Sequence, residues 1–283
     1  MINQLKTAVL LAAMSGVLLL IGQLVGGVQG LSFALVIALF MNVGSYWFSD
    51  KIVLMMYRAK PATREKYPKL HSMVEELCQL ANMPKPKLYI IPTEQANAFA
   101  TGRNPSHAAV ACTEGIMKLL TKDELRGVLA HEISHVKNRD ILITTIAATI
   151  AAVIGYVAFM ARWAAIFGGF GGRDNNRGGG ILELLVLAIV APLVATILQL
   201  ALSRSREYLA DETGAKTIKD GHCLASALEK LHQSTKHHRM PFGSPQAASM
   251  FILNPFSAKG LFKLFSTHPP HTDRIKRLKN MRF

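Results

Sequence analysis

Four long stretches of this chain carry almost no charge, and they constrain its fold more than anything else in the sequence. Thr7 to Gly27 is an uncharged run of 21 residues and Leu31 to Phe48 one of 18, parted only by Val28-Gln29-Gly30. Ile141 to Ala161 is a third uncharged run, and Ile181 to Leu202 a fourth, interrupted by Glu183 and Pro192. A helix needs about 20 apolar residues to cross the hydrocarbon core of a bilayer. With half of its residues hydrophobic and a mean hydropathy of +0.25, the chain does not fit an ordinary soluble protein. The first run has no small-residue cleavage site with a polar start behind it, so the sequence predicts a retained hairpin rather than a removed signal peptide. The second pair either spans as well or leans on the soluble domain as a long hairpin, since Ala147 to Ala152 and Pro192 suit close helix packing as much as lipid contact. We take the spanning alternative.

Lysine and arginine near membrane segments stay on the cytoplasmic side. Residues 49–140 hold 14 of them and residues 203–283 another 14, out of 32. Four crossings that start inside place both blocks in the cytoplasm and the Gly-rich connector outside. The organisation expected is a transmembrane hairpin over 1–48, half a cytoplasmic domain over 49–140, a second hairpin over 141–202 and the other half over 203–283. The net charge of +14 then follows from topology and attraction to anionic lipid, and no nucleic-acid partner is expected. Gly168 to Gly180 lacks the G-x-x-x-x-G-K-[ST] ending of a phosphate loop and reads as a connector. Cys78, Cys112 and Cys223 have no C-x-x-C spacing and read as reduced core thiols.

Within the first block, Tyr67 to Ala81 has helical spacing and is stopped by Pro84 and Pro86. Three short apolar runs follow, at Lys87 to Pro92, Asn97 to Thr101 and His107 to Cys112, and suit a small antiparallel sheet. Thr121-Lys122-Asp123-Glu124 has the order of a capping box, and Leu125, Val128, Leu129 and Ile133 continue at helical spacing. On that helix sits His131-Glu132-Ile133-Ser134-His135. Four residues are about 40° from a whole number of turns, so both imidazoles leave one face and can share one ion. Zinc suits imidazole donors, and Glu132 stands beside the pair where its carboxylate can take a proton from water.

A third ligand has to come from elsewhere. Ser203 to Asp211 continues the fourth apolar run and reads as helical, which makes Glu207 the best candidate. Asp211, one turn further on the same face, is placed to accept a hydrogen bond from a ligating histidine. Asp140, five residues past His135, could likewise support a ligating histidine from behind, but reads rather as a cap at the membrane boundary. His237 and His238 read as loop residues, and Met240 to Ser257 as a flap or a membrane-surface contact.

HEISH on a helix that runs into an apolar segment, SREYLAD at Ser205 to Asp211, NAFATG at Asn97 to Gly102 and an amino-terminal hairpin together resemble the HtpX-type membrane zinc metalloproteases, relatives of the CAAX prenyl endopeptidases. The resemblance covers nearly the whole chain. It implies a mainly α membrane protein with four transmembrane helices and a gluzincin-like α+β zinc-protease domain. It further implies a stress-response enzyme of the bacterial inner membrane whose substrates are misfolded membrane proteins cut on the cytoplasmic side, with one zinc ion per chain. Homo-oligomerisation is left open. Asn97, Ala98 and Phe99 would form a sheet edge that pairs with an extended substrate, or else a plain strand start. Thr267-His268-Pro269-Pro270 resembles an element that in the relatives supplies an active-site histidine, which would make His268 the oxyanion donor; otherwise it is a stiff turn before a helix over Asp273 to Met281. Two rival functions are a CAAX-type protease, for which four apolar runs are few, and a noncatalytic scaffold with a closed zinc sphere.

Overall fold

The computed structural model describes residues 53–102, 104–140, 178–237 and 269–283, with scattered positions between 27 and 51 and between 143 and 158. The expected amino-terminal hairpin, the third apolar run, most of the Gly-rich connector, His238, Met240 to Ser257 and His268 lie wholly or largely outside the described residues. The chain divides into two compact units, Met1–Ser45 with Ile143–Leu202, and Tyr46–Leu142 with Ser203–Phe283.

The second unit opens with strand β1 (Lys60–Pro61), helix α1 (Pro68–Ala81) and strands β2 (Lys87–Ile91), β3 (Ala98–Thr101) and β4 (Ala109–Thr113). Helix α1 has Pro68 in its first turn and ends at Asn82, whose left-handed φ of 52° lets its N–H bond the last carbonyls. The four strands form one sheet in the order β1-β2-β4-β3. That sheet is mixed, not antiparallel as expected: β4 runs parallel to β2 and antiparallel to β3. The reason lies in burial. All five residues of β4 are buried, so it takes the centre, and β3 is displaced to the edge. The Pro105–His107 turn of 3-10 helix carries the chain back.

Helices α2 (Glu114–Leu119), α3 (Lys122–Lys137), α5 (His222–His237) and α6 (His271–Lys279) complete this unit with the carboxyl-terminal part of α4 (Gly178–Ile218). Helix α6 starts two residues earlier than the sequence predicts, directly after Pro270, which serves as its amino-terminal cap residue. In the stretch Ile189–Ile218, α4 is long and apolar enough to cross a membrane, one such helix among the described residues. Its Ile189, Val190, Leu193 and Ile197 are exposed, as lipid-facing side chains would be.

Helix α3 is the central element. Every residue from Gly127 to Ser134 is buried, so this stretch of the helix is enclosed on all sides. Val128, Leu129 and Ile133 join Leu77, Ile116, Leu224 and Leu228 in the main core, each contributing about 1.5–3 kcal/mol through burial. Close approach depends on two glycines. A Cβ on Gly127 would stand 2.7 Å from the backbone nitrogen of Leu224 on α5, and one on Gly214 would stand 3.1 Å from the Ala130 carbonyl and the His131 nitrogen. Gly214 thus lets α4 lie against the motif-bearing turn of α3. Cys78 and Cys112 are buried as expected, whereas Cys223 is only partly covered and donates to Asp220 Oδ2 at 2.8 Å.

The capping box is formed: Glu124 N–H donates to Thr121 Oγ1 at 3.3 Å, and Thr121 N–H to Glu124 Oε2 at 2.8 Å. Glu124 also ties α3 to α5, accepting from Ser226 Oγ at 2.7 Å and Lys230 Nζ at 2.8 Å. Burial alone would raise its pKa, but Lys230 and these donors outweigh it and hold the carboxyl at about 2. A group depressed on folding contributes stability above its unfolded pKa and loses it as pH falls through the folded one. With Lys230 39% exposed, the contribution is on the order of 2 kcal/mol after screening. The melting-temperature gap between wild type and Glu124→Gln is expected to be largest at neutral pH, to shrink below pH 4.5 and to close towards pH 2. A gap independent of pH would show that the ionised carboxylate contributes nothing.

Candidate metal centre

Helix α3 presents His131 and His135 one turn apart, as the spacing predicts, with Nε2 facing Nε2 at 3.1 Å. The third expected donor arrives from α4. Glu207 Oε1 lies 3.5 Å from His135 Nε2 and Glu207 Oε2 3.7 Å from His131 Nε2. One donor atom from each of His131, His135 and Glu207 lies within 4.8 Å of the others, and these three form the one such group among the described residues. Ser134, between the histidines, spends its hydroxyl on the Ala130 carbonyl at 2.7 Å.

The opposite nitrogen of each ring is held by a carboxylate. His131 Nδ1 faces Asp211 Oδ1 at 3.0 Å, the partner expected from the sequence. His135 Nδ1 faces Asp140 Oδ2 at 2.8 Å. Asp140 is therefore not a boundary cap. Arg139 adopts a left-handed φ of 56°, and Asp140 comes back on His135 and is gripped by Arg206 at Oδ1. Arg206 also donates to the Asn138 carbonyl at 2.9 Å. On the other side Arg274, from α6, donates through Nε and Nη2 to the two oxygens of Asp211 at 2.8 and 2.7 Å. Its Nη1 reaches Glu207 Oε2 at 2.9 Å. Each histidine thus has an aspartate behind it, and each aspartate an arginine behind that.

This donor set fits a divalent cation on two counts. With a carboxylate oxygen 3.0 Å from His131 Nδ1 and 2.8 Å from His135 Nδ1, the tautomers that place the protons on Nδ1 turn two Nε2 lone pairs towards each other, an arrangement a shared cation stabilises. Two nitrogens bound at about 2.1 Å to one tetrahedral ion stand roughly 3.4 Å apart, near the 3.1 Å found here. The buried charge points the same way. Glu132, Asp140, Glu207 and Asp211 are all buried, opposed by the buried guanidiniums of Arg206 and Arg274. Asp140, Glu207 and Asp211, joined by Glu132 when it is ionised, outnumber the two arginines; burial does not tolerate that surplus uncompensated, and a dication would offset it.

Glu132 stands beside the donors without joining them, its Oε2 accepting the Ala100 N–H at 2.8 Å. Burial pushes its carboxyl up to about 7, and the Glu207 carboxylate adds to this against the pull of His135, the Ala100 N–H and Arg274. Burial and the neighbouring ring of His135 lower the pKa of His131. His135 is raised, because Glu207 outweighs its burial.

The Ala100 N–H also fixes how β3 faces the site. Along an antiparallel strand, successive residues turn their backbone groups to opposite sides. The Asn97 carbonyl accepts from Thr113 of β4 at 2.9 Å, so Asn97 and Phe99 bond inwards while Ala98 and Ala100 present theirs at the outer edge. The Asn97 side chain is buried, and the Phe99 ring packs on Tyr57 at 5.2 Å on the far face of the sheet. The sequence reading missed Arg206 and Arg274. Arg206 adjoins Glu207 and Arg274 follows the His-Pro-Pro element, but no spacing rule ties either to a histidine far away in sequence.

The model of peptidase family M48 matches residues 64–282. A protein named protease HtpX homolog from Syntrophobacter fumaroxidans is 54% identical over 282 residues, covering 99% of both chains. Its namesake from Pyrococcus furiosus is 52% identical over 277 residues, covering 98% of this chain and 95% of the other. That from Aquifex aeolicus is 53% identical over 268 residues, covering 93% and 88%. Among solved structures, the crystal structure of S. mikatae Ste24p is similar with a TM-score of 0.59 at 20% identity, over 98% of this chain and 65% of that one.

Proposed function

This chain belongs to peptidase family M48, and from that premise we propose that it is a zinc-dependent endopeptidase of the bacterial inner membrane that cuts misfolded membrane proteins on the cytoplasmic side. The observation that carries the reading is a buried carboxylate, Glu132, set between the His131, His135 and Glu207 donors and the outer edge of β3. His131, His135 and Glu207 would hold the ion, which supplies a Lewis acid for the scissile carbonyl and for water.

The remaining chemistry belongs to the chain. Glu132 takes a proton from the attacking water and delivers it to the leaving amine, and a carboxyl near neutrality is suited to both transfers. Asp211 and Asp140 keep both imidazoles in the tautomer whose Nε2 faces inwards. An extended substrate pairs with the outward backbone groups of Ala98 and Ala100. In this reading Asn97 and Phe99 serve substrate binding by anchoring that strand from within, through β4 and Tyr57. His268, three residues ahead of the start of α6, is the proposed donor to the developing oxyanion. Four membrane crossings, two of them from the amino-terminal hairpin, would keep both halves of the catalytic domain on one side of the bilayer.

Sidedness separates this reading from its rivals. A reporter membrane protein with an unfolded loop on the cytoplasmic side is expected to be cleaved, and the same loop on the opposite side left intact, with cleavage abolished by a chelator. Cutting of the outer loop would overturn the orientation. Cutting confined to a farnesylated peptide would overturn the substrate class.

A further inference from the structure

The chain just ahead of β1 has two unlike sides. Val53 joins Ile91 and Phe99 in a small core, and Leu54, Tyr57 and Ala59 pack against it. Behind the helical residues 53–56 the chain reverses in a Schellman turn. Arg58 N–H donates to the Met55 carbonyl at 3.0 Å and Ala59 N–H to the Leu54 carbonyl at 2.9 Å, with Arg58 at a left-handed φ of 51°. The turn is thus held from within, and its other side stays outward. That side carries Met55 and Met56, 75% and 56% exposed, and no large apolar side chain among the described residues is more exposed than Met55. In the second compact unit they are the one adjacent pair of exposed large apolar residues among the described residues.

Cations surround the pair. Lys51 stands one helical turn before Met55 on the same face, Arg58 closes the turn and Lys60 opens β1; all three are exposed. Asp50 is the one acidic residue between positions 46 and 62, and none of the three cations is tied to a carboxylate among the described residues. Methionine is unbranched and adapts its shape to fluid surroundings, while lysine and arginine beside it can reach lipid phosphates with their stems kept apolar. The apolar run Leu31 to Phe48 ends seven residues before Met55, so the pair lies within about 25 Å of the end of that run even if the chain between is fully extended. We propose that Met55 and Met56, with Lys51, Arg58 and Lys60, form a docking surface for an anionic bilayer, the methionines entering the acyl boundary and the cations meeting the lipid phosphates. The proposal rests on reading the chain as membrane-bound, and not on its metal chemistry. Since the Tyr57 ring lies 5.2 Å from that of Phe99, a docked turn also supports the sheet from behind β3.

Nitroxide labels measure the contact. On a Cys223→Ser background, chosen because Cys78 and Cys112 are buried, the full chain is labelled through Met55→Cys, Met56→Cys or Lys118→Cys, the last replacing a side chain that is 64% exposed. Each is reconstituted into vesicles of phosphatidylcholine, with or without phosphatidylglycerol, and collisions of the label with dissolved oxygen and with a water-soluble nickel chelate are compared. In phosphatidylglycerol vesicles the labels at positions 55 and 56 are expected to be shielded from nickel and open to oxygen, and the label at 118 the reverse. Each cation favours the docked state by about fivefold at an anionic surface. Lys51→Gln, Arg58→Gln and Lys60→Gln together should therefore lower it roughly 100-fold and restore nickel access at 55 and 56, as should leaving out phosphatidylglycerol. Labels at 55 and 56 as open to nickel as the one at 118 overturn the proposal, and so does shielding indifferent to lipid charge. Shielding that grows with the protein-to-lipid ratio, accompanied by spin–spin broadening, overturns it in favour of a second copy of the chain. Chains that fail to float with the vesicles sink the membrane reading and the proposal with it, an outcome separate from the others. Should the triple variant fail to fold, the two lipid compositions decide by the same criteria.

Discussion

Glu132→Gln is expected to lower peptide-bond cleavage by about 10²–10⁴-fold while the metal content stays at the wild-type level. The two halves of that result test different things. Glutamine has the size and shape of glutamate and can still accept the Ala100 N–H, so the site is expected to keep its geometry. It cannot carry a proton from water to a leaving amine. Metal is retained because Glu132 is not among the three residues that converge as donors. The sign of the pH response follows as well: in the wild type, cleavage falls on acidification as Glu132 is protonated, and the residual rate of Glu132→Gln loses that limb. Measurement of turnover and metal content on one preparation gives both numbers. Undiminished cleavage would remove Glu132 from the reaction, and metal lost alongside activity would recast it as a ligand.

Glu207→Ala is expected to do the reverse and strip the metal. Structural zinc sites bind with about 10–16 kcal/mol over four ligands, so losing one costs roughly 3 kcal/mol or more, beyond 100-fold in affinity. The loss also exposes Arg274, whose Nη1 sits 2.9 Å from Glu207 Oε2; a buried guanidinium deprived of a partner adds to the penalty. Dialysed Glu207→Ala should therefore contain little metal, cleave at background rates and melt below wild type. Asp211→Asn, which touches the ion only through His131, should weaken metal binding by a smaller factor, about 10–100-fold. Full metal occupancy in Glu207→Ala would mean that the third donor lies elsewhere.

The parts of this site that could be read from the sequence are those set by helical periodicity. His131 and His135 meet because they are four residues apart on one helix, and Glu207 and Asp211 share a face for the same reason; Thr121 and Glu124 announced where the first helix begins. Periodicity says nothing about what lies across a gap in space. The parallel pairing of Lys87–Ile91 with Ala109–Thr113 escaped the reading because short apolar runs carry no mark of direction, and only the complete burial of β4 accounts for its central place. Arg206 and Arg274 escaped for a related reason. Both look like ordinary surface charges until tertiary packing encloses them with Asp140 and Asp211. For Asp140 both roles were legible, support for a histidine and a boundary cap, and the sequence favoured the wrong one, since the choice depends on the left-handed turn at Arg139.

The wide separation in sequence of the groups around this centre has a consequence for the timing of synthesis. His131 and Arg274 stand 143 residues apart, with Glu207 between them, and the ribosome delivers them in that order. A growing chain that has just released its histidines has neither the carboxylate that completes the trio nor the guanidinium that steadies it. On the function proposed above, the cutting site would therefore stay unassembled through translation of the whole intervening interval, and a half-made copy would be spared from cutting the nascent proteins around it.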